Sequence, residues 1–184
     1  QGADLGWASL FVPEAFGGMA ETAGGAVDVA IIAEELGRVL FAGPFLPVNV
    51  VAFALAAAGS EAQREEHLPA LAAGELVASW CFSGPGVASG ERAGGVRATA
   101  DGDGFVLDGV SGYVQDAHVA DQLLVTAATG GITQFLVPTS TPGVTVKPLD
   151  CLDLGRRLSH VGFDAVAVDR AAVVGTVDAG AGDV

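Results

Sequence analysis

The sequence predicts an α+β chain in which a helical N-terminal domain is followed by an antiparallel β-barrel or sandwich. Two patterns carry the prediction. Before Gly74, apolar residues recur at helical spacing and Ser60-Glu61-Ala62-Gln63 forms a capping box, with Ser60 accepting from the third helical N–H and Gln63 reaching back. From Leu76 onward, short apolar runs are separated by Asp-Gly, Gly-Gly and Pro-Gly turns, and Asp-Gly between alternating apolar residues is the strongest short-range hairpin signal.

In chain order, Leu5 to Glu14 is an apolar approach to a Pro/Gly turn that ends in Phe16-Gly17-Gly18. Gly25 to Leu40 reads as a helix whose apolar residues, Val27, Ile31 and Leu36 among them, cover most of the circumference, which predicts burial on more than one side. Glu34 and Glu35 interrupt that pattern. A carboxylate pair can serve acid–base or metal chemistry, but no His follows at helical spacing, and Arg38 sits four residues after Glu34, where a solvated ion pair forms. Phe45 to Ala58 is a second apolar helix introduced by Pro44 and Pro47, and a short third helix runs from Ser60 through His67 and stops near Pro69.

The run Leu76 to Phe82 is too short for an ordinary helix and reads as a buried strand. At Ser83-Gly84-Pro85-Gly86 the chain must turn, because Pro85 has no N–H and the glycines admit positive φ. Main-chain N–H groups then lie beside the hydroxyls of Ser83 and Ser89, a corner suited to an acceptor-rich ligand. Strands follow at Gly95 to Ala100, Phe105 to Leu107 and Val110 to Val114, with turns expected at 101–104 and at Asp108-Gly109. Further strands are read at Leu123 to Thr126, Ile132 to Val137, Val144 to Pro148 and Gly162 to Val168. Asp178 to Val184 reads as a small-residue tail with nothing to pack. Spacing alone leaves open that these turns are merely the turns of a barrel or sandwich.

Composition narrows the partners. A net charge of −14 argues against nucleic acid or an anionic membrane, and any phosphate ligand needs a local basic or N–H-rich site. A mean hydropathy of +0.50 is high for a chain with no run near the roughly 20 apolar residues of a bilayer span, which points to a soluble protein with apolar surface covered by a partner or by further chain. Cys81 and Cys151 form neither a disulfide framework nor metal-type spacing, so a reducing, cytoplasmic setting is expected. Arg156-Arg157 is the one basic doublet; it pairs with Asp150, Asp153 or Asp164, or holds coenzyme phosphates, and the acidic surroundings favour the pairing. His118 and His160 are lone histidines without ligand spacing.

Several separated stretches resemble the acyl-CoA dehydrogenase family, flavoproteins that oxidise an acyl-CoA thioester to its 2,3-enoyl form. Leu5-Gly6 through Val12-Pro13-Glu14 and Gly17-Gly18 is similar to its L-G-x5-V-P-E-x-x-G-G signature, Glu34-Glu35-Leu36-Gly37-Arg38 to E-E-L-G-R, and Gly59 to Glu75 to G-S-E-A-Q…L-P-x-L-x-x-G-E. The corner Ser83 to Gly90 stands at T-E-P-x-A-G-S-D, and Leu107 to Asp116 at L-N-G-x-K-x-W-I-T-N, followed by Ala120-Asp121. Pro142-Gly143-Val144 and Val161 to Val168 match P-G-V and V-x-F-D-x-V-x-V.

The resemblance implies a partial α-helical N-terminal domain over 1–74, a middle β-domain over 75–177 that faces flavin and acyl-CoA, and a tail over 178–184. It implies FAD as cofactor, an acyl-CoA substrate, a flavin-linked electron acceptor and a homo- or hetero-oligomer. By the same resemblance Ser83 meets the flavin pyrimidine side, Phe82 gives main-chain contacts, Tyr113 packs on the isoalloxazine, Gln115 stands near N5, and Ser89 contacts the pantetheine arm. The family draws its catalytic base from a C-terminal helical domain, so no residue here is nominated as base and this chain alone is expected to be inactive. Gly84, Gly90, Ser111 and Gln115 replace the family's Glu, Asp, Lys and Thr. The alternative is a non-catalytic partner subunit of a heteromeric acyl-CoA dehydrogenase.

Overall fold

A computed structural model describes residues 2, 5–20, 25–83, 95–153 and 155–178. The chain divides into two compact units, Gln1–Ala78 and Ser79–Val184.

Helices fill the first unit: α1 (Gly25–Arg38), α2 (Phe45–Ala58) and α3 (Glu61–Ala73). The second and third pack through Val48, Val51, Ala52, Leu55, Leu68 and Leu71, all buried. The predicted capping box is present, with the Gln63 N–H donating to Ser60 Oγ at 3.2 Å and the Ser60 N–H to Gln63 Oε1 at 3.0 Å. At the start of α2, the buried Asn49 amide donates to the Trp7 and Phe45 carbonyls at 2.8 and 2.9 Å, tying the N-terminal loop to the helix.

Two expectations for this unit are corrected. The third helix does not stop near Pro69. It continues to Ala73 with Pro69 inside, because that residue is exposed and the burial of Leu68 and Leu71 on either side holds the turn; the Gly74 N–H then closes the helix on the Ala70 and Leu71 carbonyls. Nor is α1 buried on several sides: it has no buried residue, and Val27 and Ile31 are 61% and 57% exposed because no described element covers them. Glu34, Glu35 and Arg38 lie on the solvated face as expected, with Arg38 at 3.1 Å from Glu34 and 3.2 Å from Glu35.

The second unit is built on a mostly antiparallel sheet: β1 (Ala78–Cys81), β2 (Val96–Asp101), β3 (Gly104–Gln115), β4 (Gln122–Ala128), β5 (Ile132–Pro138), β6 (Val144–Pro148), β7 (Leu158–Val168) and β8 (Val173–Val174). Strand order is β6-β7-β3-β2-β4-β5-β8, with β1 on β4. The central residues of β4 and β5 are buried on both faces, as their near-continuous apolar sequences require, and Phe135 meets Phe105 edge to face at 5.1 Å.

The expected strand over Leu76 to Phe82 shortens to β1. More telling is Asp108-Gly109, which is not a turn. The strand β3 runs straight through it and bulges, its register with β7 slipping between Leu107 and Gly109. Asp108 Oδ1 accepts from the Ala165 N–H at 2.9 Å, so the side chain that would have closed a hairpin caps the bulge instead.

The chain's last described residue is not loose either. Asp178 accepts from the Thr129 hydroxyl and, at 2.8 Å, from the Gly131 N–H, and its own N–H donates to Thr133 Oγ1 at 3.0 Å, which clasps it to the β4–β5 turn.

Candidate functional site

The site builds from the point where β1 leaves the sheet. Cys81 and Ser79 point into the interior, and the Ser79 hydroxyl donates to the Gln115 carbonyl at 2.7 Å, tying β1 to the end of β3. Alternation therefore sends Trp80 and Phe82 to the other face. Trp80 is held by its indole N–H on Thr126 Oγ1 at 2.9 Å, and its ring packs on Phe82 at 4.6 Å. Phe82 remains 43% exposed.

One residue on, Ser83 bridges Gly112. Its carbonyl accepts from the Gly112 N–H at 2.6 Å and from the buried Ser111 hydroxyl at 3.0 Å, and its own hydroxyl donates to the Gly112 carbonyl at 3.3 Å. These three bonds clamp a second irregularity in β3, a register shift between Ser111 and Val114. Within it Tyr113 takes φ +56°, a conformation that costs a non-glycine residue on the order of 1–3 kcal/mol, and its side chain stands 56% exposed. Strain that presents a large aromatic ring to solvent marks a functional position better than a structural one.

Across the sheet, His160 meets the Tyr113 ring edge to face at 5.8 Å. The sequence treated His160 as a lone histidine; only the β3–β7 pairing brings it here, and no short-range pattern signals it.

Of the predicted site residues, Phe82, Ser83, Tyr113 and Gln115 come together around this bridge. Ser89 lies outside the described residues, as do the departures at Gly84 and Gly90. The donor set fits a flat, uncharged aromatic ring system: Tyr113 and Phe82 offer apolar faces, and the Ser83 oxygen, having donated its proton to Gly112, keeps lone pairs for a ligand N–H. Gln115 is more committed than the sequence implied, since its amide hydrogen-bonds the Asp116 carboxylate, leaving its remaining N–H for a ligand.

Burial pushes the Asp116 carboxyl above its ordinary 3.8, against the lowering effects of Gln115, His118 and Arg157. A raised folded-state value means that the native state holds its proton more tightly than the unfolded chain, so this group's contribution to stability falls as pH rises from about 4 through the folded value. Asp116→Asn is therefore expected to be more stable than the parent at neutral pH and to lose that advantage in acid, read as the difference in urea midpoint between the two pH values. Asn also suits the left-handed backbone at this position, φ +54°. Cys81 is pushed to about 12 by burial, opposed only by Ser111, and so stays a packed thiol at neutral pH.

The Arg156-Arg157 doublet sits apart, lining an open depression of about 330 Å³ with His118, Asp150 and Asp153. Arg156 faces Asp153 at 3.8 Å, one of the pairings expected of the doublet, and Arg157 lends its charge to Asp116.

Residues 1–75 match the family model described as acyl-CoA dehydrogenase, N-terminal domain. The chain is 30% identical over 186 residues to "Probable acyl-CoA dehydrogenase YngJ" of Bacillus subtilis, a match covering 94% of this chain and 48% of that protein. Among solved structures, a glutaryl-CoA dehydrogenase from Mycobacterium smegmatis in complex with FADH2 is 33% identical with a TM-score of 0.65, over 71% of this chain and 34% of that one. The ChsE4–ChsE5 complex of Mycobacterium tuberculosis is 28% identical with a TM-score of 0.82, over 97% and 48%. The chain thus spans about half the length of YngJ, and less of other curated relatives, down to 25%.

Proposed function

We propose, for a chain that belongs to the acyl-CoA dehydrogenase family, that the Tyr113–Phe82 face holds the isoalloxazine of FAD in an enzyme that desaturates an acyl-CoA thioester between its α and β carbons. The observation that carries the reading is the strained, solvent-facing Tyr113, clamped through Gly112 to Ser83 where the family's flavin-contacting residues fall. The mycobacterial structure with bound FADH2 supports it.

When bound, the flavin supplies the two-electron acceptor for hydride leaving the β-carbon. The residues of this chain bind and orient. Tyr113 and Phe82 would exclude water from one ring face, the Ser83 oxygen would accept from a ring N–H, and the Gln115 amide, with two N–H groups, would keep one donor for the ring edge beside its bond to Asp116. The carboxylate nearest this face, Asp116, is 4% exposed and engaged with Gln115, and so is withdrawn from the α-proton. Substrate and electron acceptor follow from the same reading, as do a cytoplasmic setting and assembly with a second copy or a different subunit. Among the described residues no helix is long and apolar enough to cross a membrane.

A second reading is a non-catalytic subunit of a heteromeric dehydrogenase. It draws on the ChsE4–ChsE5 likeness and on Ser111, which stands where the family carries lysine and is spent on the clamp.

Titrating FAD into the purified chain tests the first reading. A shifted, vibrationally structured flavin absorption band is expected, with no dye reduction on adding short- or medium-chain acyl-CoA. An unchanged free-flavin spectrum rejects the binding role, and dye reduction at an enzyme-like rate rejects the claim that this chain lacks a base.

A further inference from the structure

Gln115 and Asp116 are tied to each other through their side chains, while their main chains are held separately. The Gln115 carbonyl accepts from the Ser79 hydroxyl of β1 at 2.7 Å, and the residue pairs with Leu158 in the β3–β7 ladder. The Asp116 N–H donates to the Arg157 carbonyl at 2.8 Å, and its carbonyl accepts from the Val119 N–H at 3.1 Å, with the backbone left-handed at φ +54°. What the backbone leaves free is the long Gln115 side chain, which costs more entropy to order than a short hydroxyl residue does. The Asp116 carboxylate takes one of its N–H groups and is itself flanked by the charges of His118 and Arg157.

Folding alone does not call for a carboxylate here. Asp116 is 4% exposed, and a buried carboxylate carries a desolvation cost that a neutral amide of the same shape avoids. Asparagine suits the left-handed backbone as well as aspartate does, and the motif this strand end resembles closes on Thr-Asn where the chain has Gln115-Asp116. What an ionised carboxylate has and an amide lacks is a single sense: it only accepts, so it meets the Gln115 amide through N–H and never through the carbonyl. An asparagine could accept from that N–H or donate to that carbonyl, which leaves the glutamine amide free to turn over. We propose that Asp116 is a positioning residue that fixes which way the Gln115 amide faces, holding one N–H so that the other is presented to the ring edge of a bound flavin. The inference rests on the flavin reading above and adds to it the residue that orients the donor.

A first measurement needs no flavin. The side-chain amide of Gln115, identified in the NMR spectrum by its loss in Gln115→Thr, is expected to be rigid by 15N relaxation in the parent chain and mobile in Asp116→Asn. Flavin affinity, read from quenching of FAD fluorescence, is expected to fall about fivefold in Asp116→Asn, the worth of one hydrogen bond. Loss of fold does not explain such a fall, since this variant is expected to be more stable than the parent at neutral pH. In a Gln115→Thr background the same substitution should change affinity by less than about twofold, because a threonine hydroxyl has no amide to orient. The proposal is overturned if Asp116→Asn binds flavin as tightly as the parent. It is overturned too if the loss persists undiminished in the Gln115→Thr background, which would assign the effect to the carboxylate's own charge. An amide as mobile in the parent as in Asp116→Asn overturns it whether or not flavin binds. A rigid amide in a chain that binds no flavin would instead reject the flavin reading, and the positioning role falls with it.

Discussion

Replacing Gly109 with valine is expected to lower folding stability by about 3–5 kcal/mol, a large part of the margin on which a domain of this size exists. Two independent penalties meet there. Gly109 has φ +128°, where a β-branched residue is a steric outlier. A Cβ at this position would also lie 1.9 Å from the Gly95 carbonyl oxygen, which is backbone and already accepts the Val110 N–H at 2.8 Å, so it has no flexible end to give way. The comparison is Gly102→Ala in the β2–β3 turn. That residue has φ +57° with open space around it, and the substitution should cost about 1 kcal/mol. Urea unfolding of both variants measures the contrast, and equal midpoints would mean that the bulge tolerates what its geometry forbids.

The same residue shows where reading the sequence reached its limit. Asp-Gly signals a backbone that needs positive φ, and that signal was right. What it cannot say is whether the chain reverses there or continues with a bulge, because the choice is made by β7, whose Ala165 N–H claims the Asp108 carboxylate from far along the chain. Local chemistry was legible wherever its consequences stay local. The Ser60–Gln63 box, the helix Phe45–Ala58 and the strand Ile132–Pro138 fall where pattern placed them. Pro69 was misread because a proline's local cost was set against packing that only the folded helix reveals. The apolar circumference of α1 was seen correctly, yet pattern could not say whether this stretch of chain supplies its cover. The candidate site divides in the same way. Ser83, Phe82, Tyr113 and Gln115 were reachable by motif, whereas the Ser83–Gly112 clamp and His160 belong to it only through strand register, a property of pairs of strands and not of any one segment.

Tyr113→Gly should separate the two roles that this position combines. Glycine occupies φ +56° without a side-chain penalty, and the relief offsets the entropy that glycine adds to the unfolded chain, so stability is expected to change by less than about 1 kcal/mol. Flavin affinity should instead fall by about 10- to 100-fold, the loss typical of removing one aromatic platform from beneath a stacked ring. Tyr113→Phe keeps both the ring and the strain and should bind flavin nearly as the parent does. Tyr113→Ala keeps the strain without the ring and should be the poorest of the three when stability and affinity are taken together. A tyrosine present only to pack against His160 would give the opposite ranking: the glycine variant would lose stability through the 5.8 Å ring contact, and flavin affinity would not follow the ring at all. Thermal unfolding and flavin titration of the three variants therefore decide whether the strain at Tyr113 is tolerated for the sake of a ligand, since only a ligand-facing role lets the unstrained glycine variant keep its stability and still lose flavin affinity.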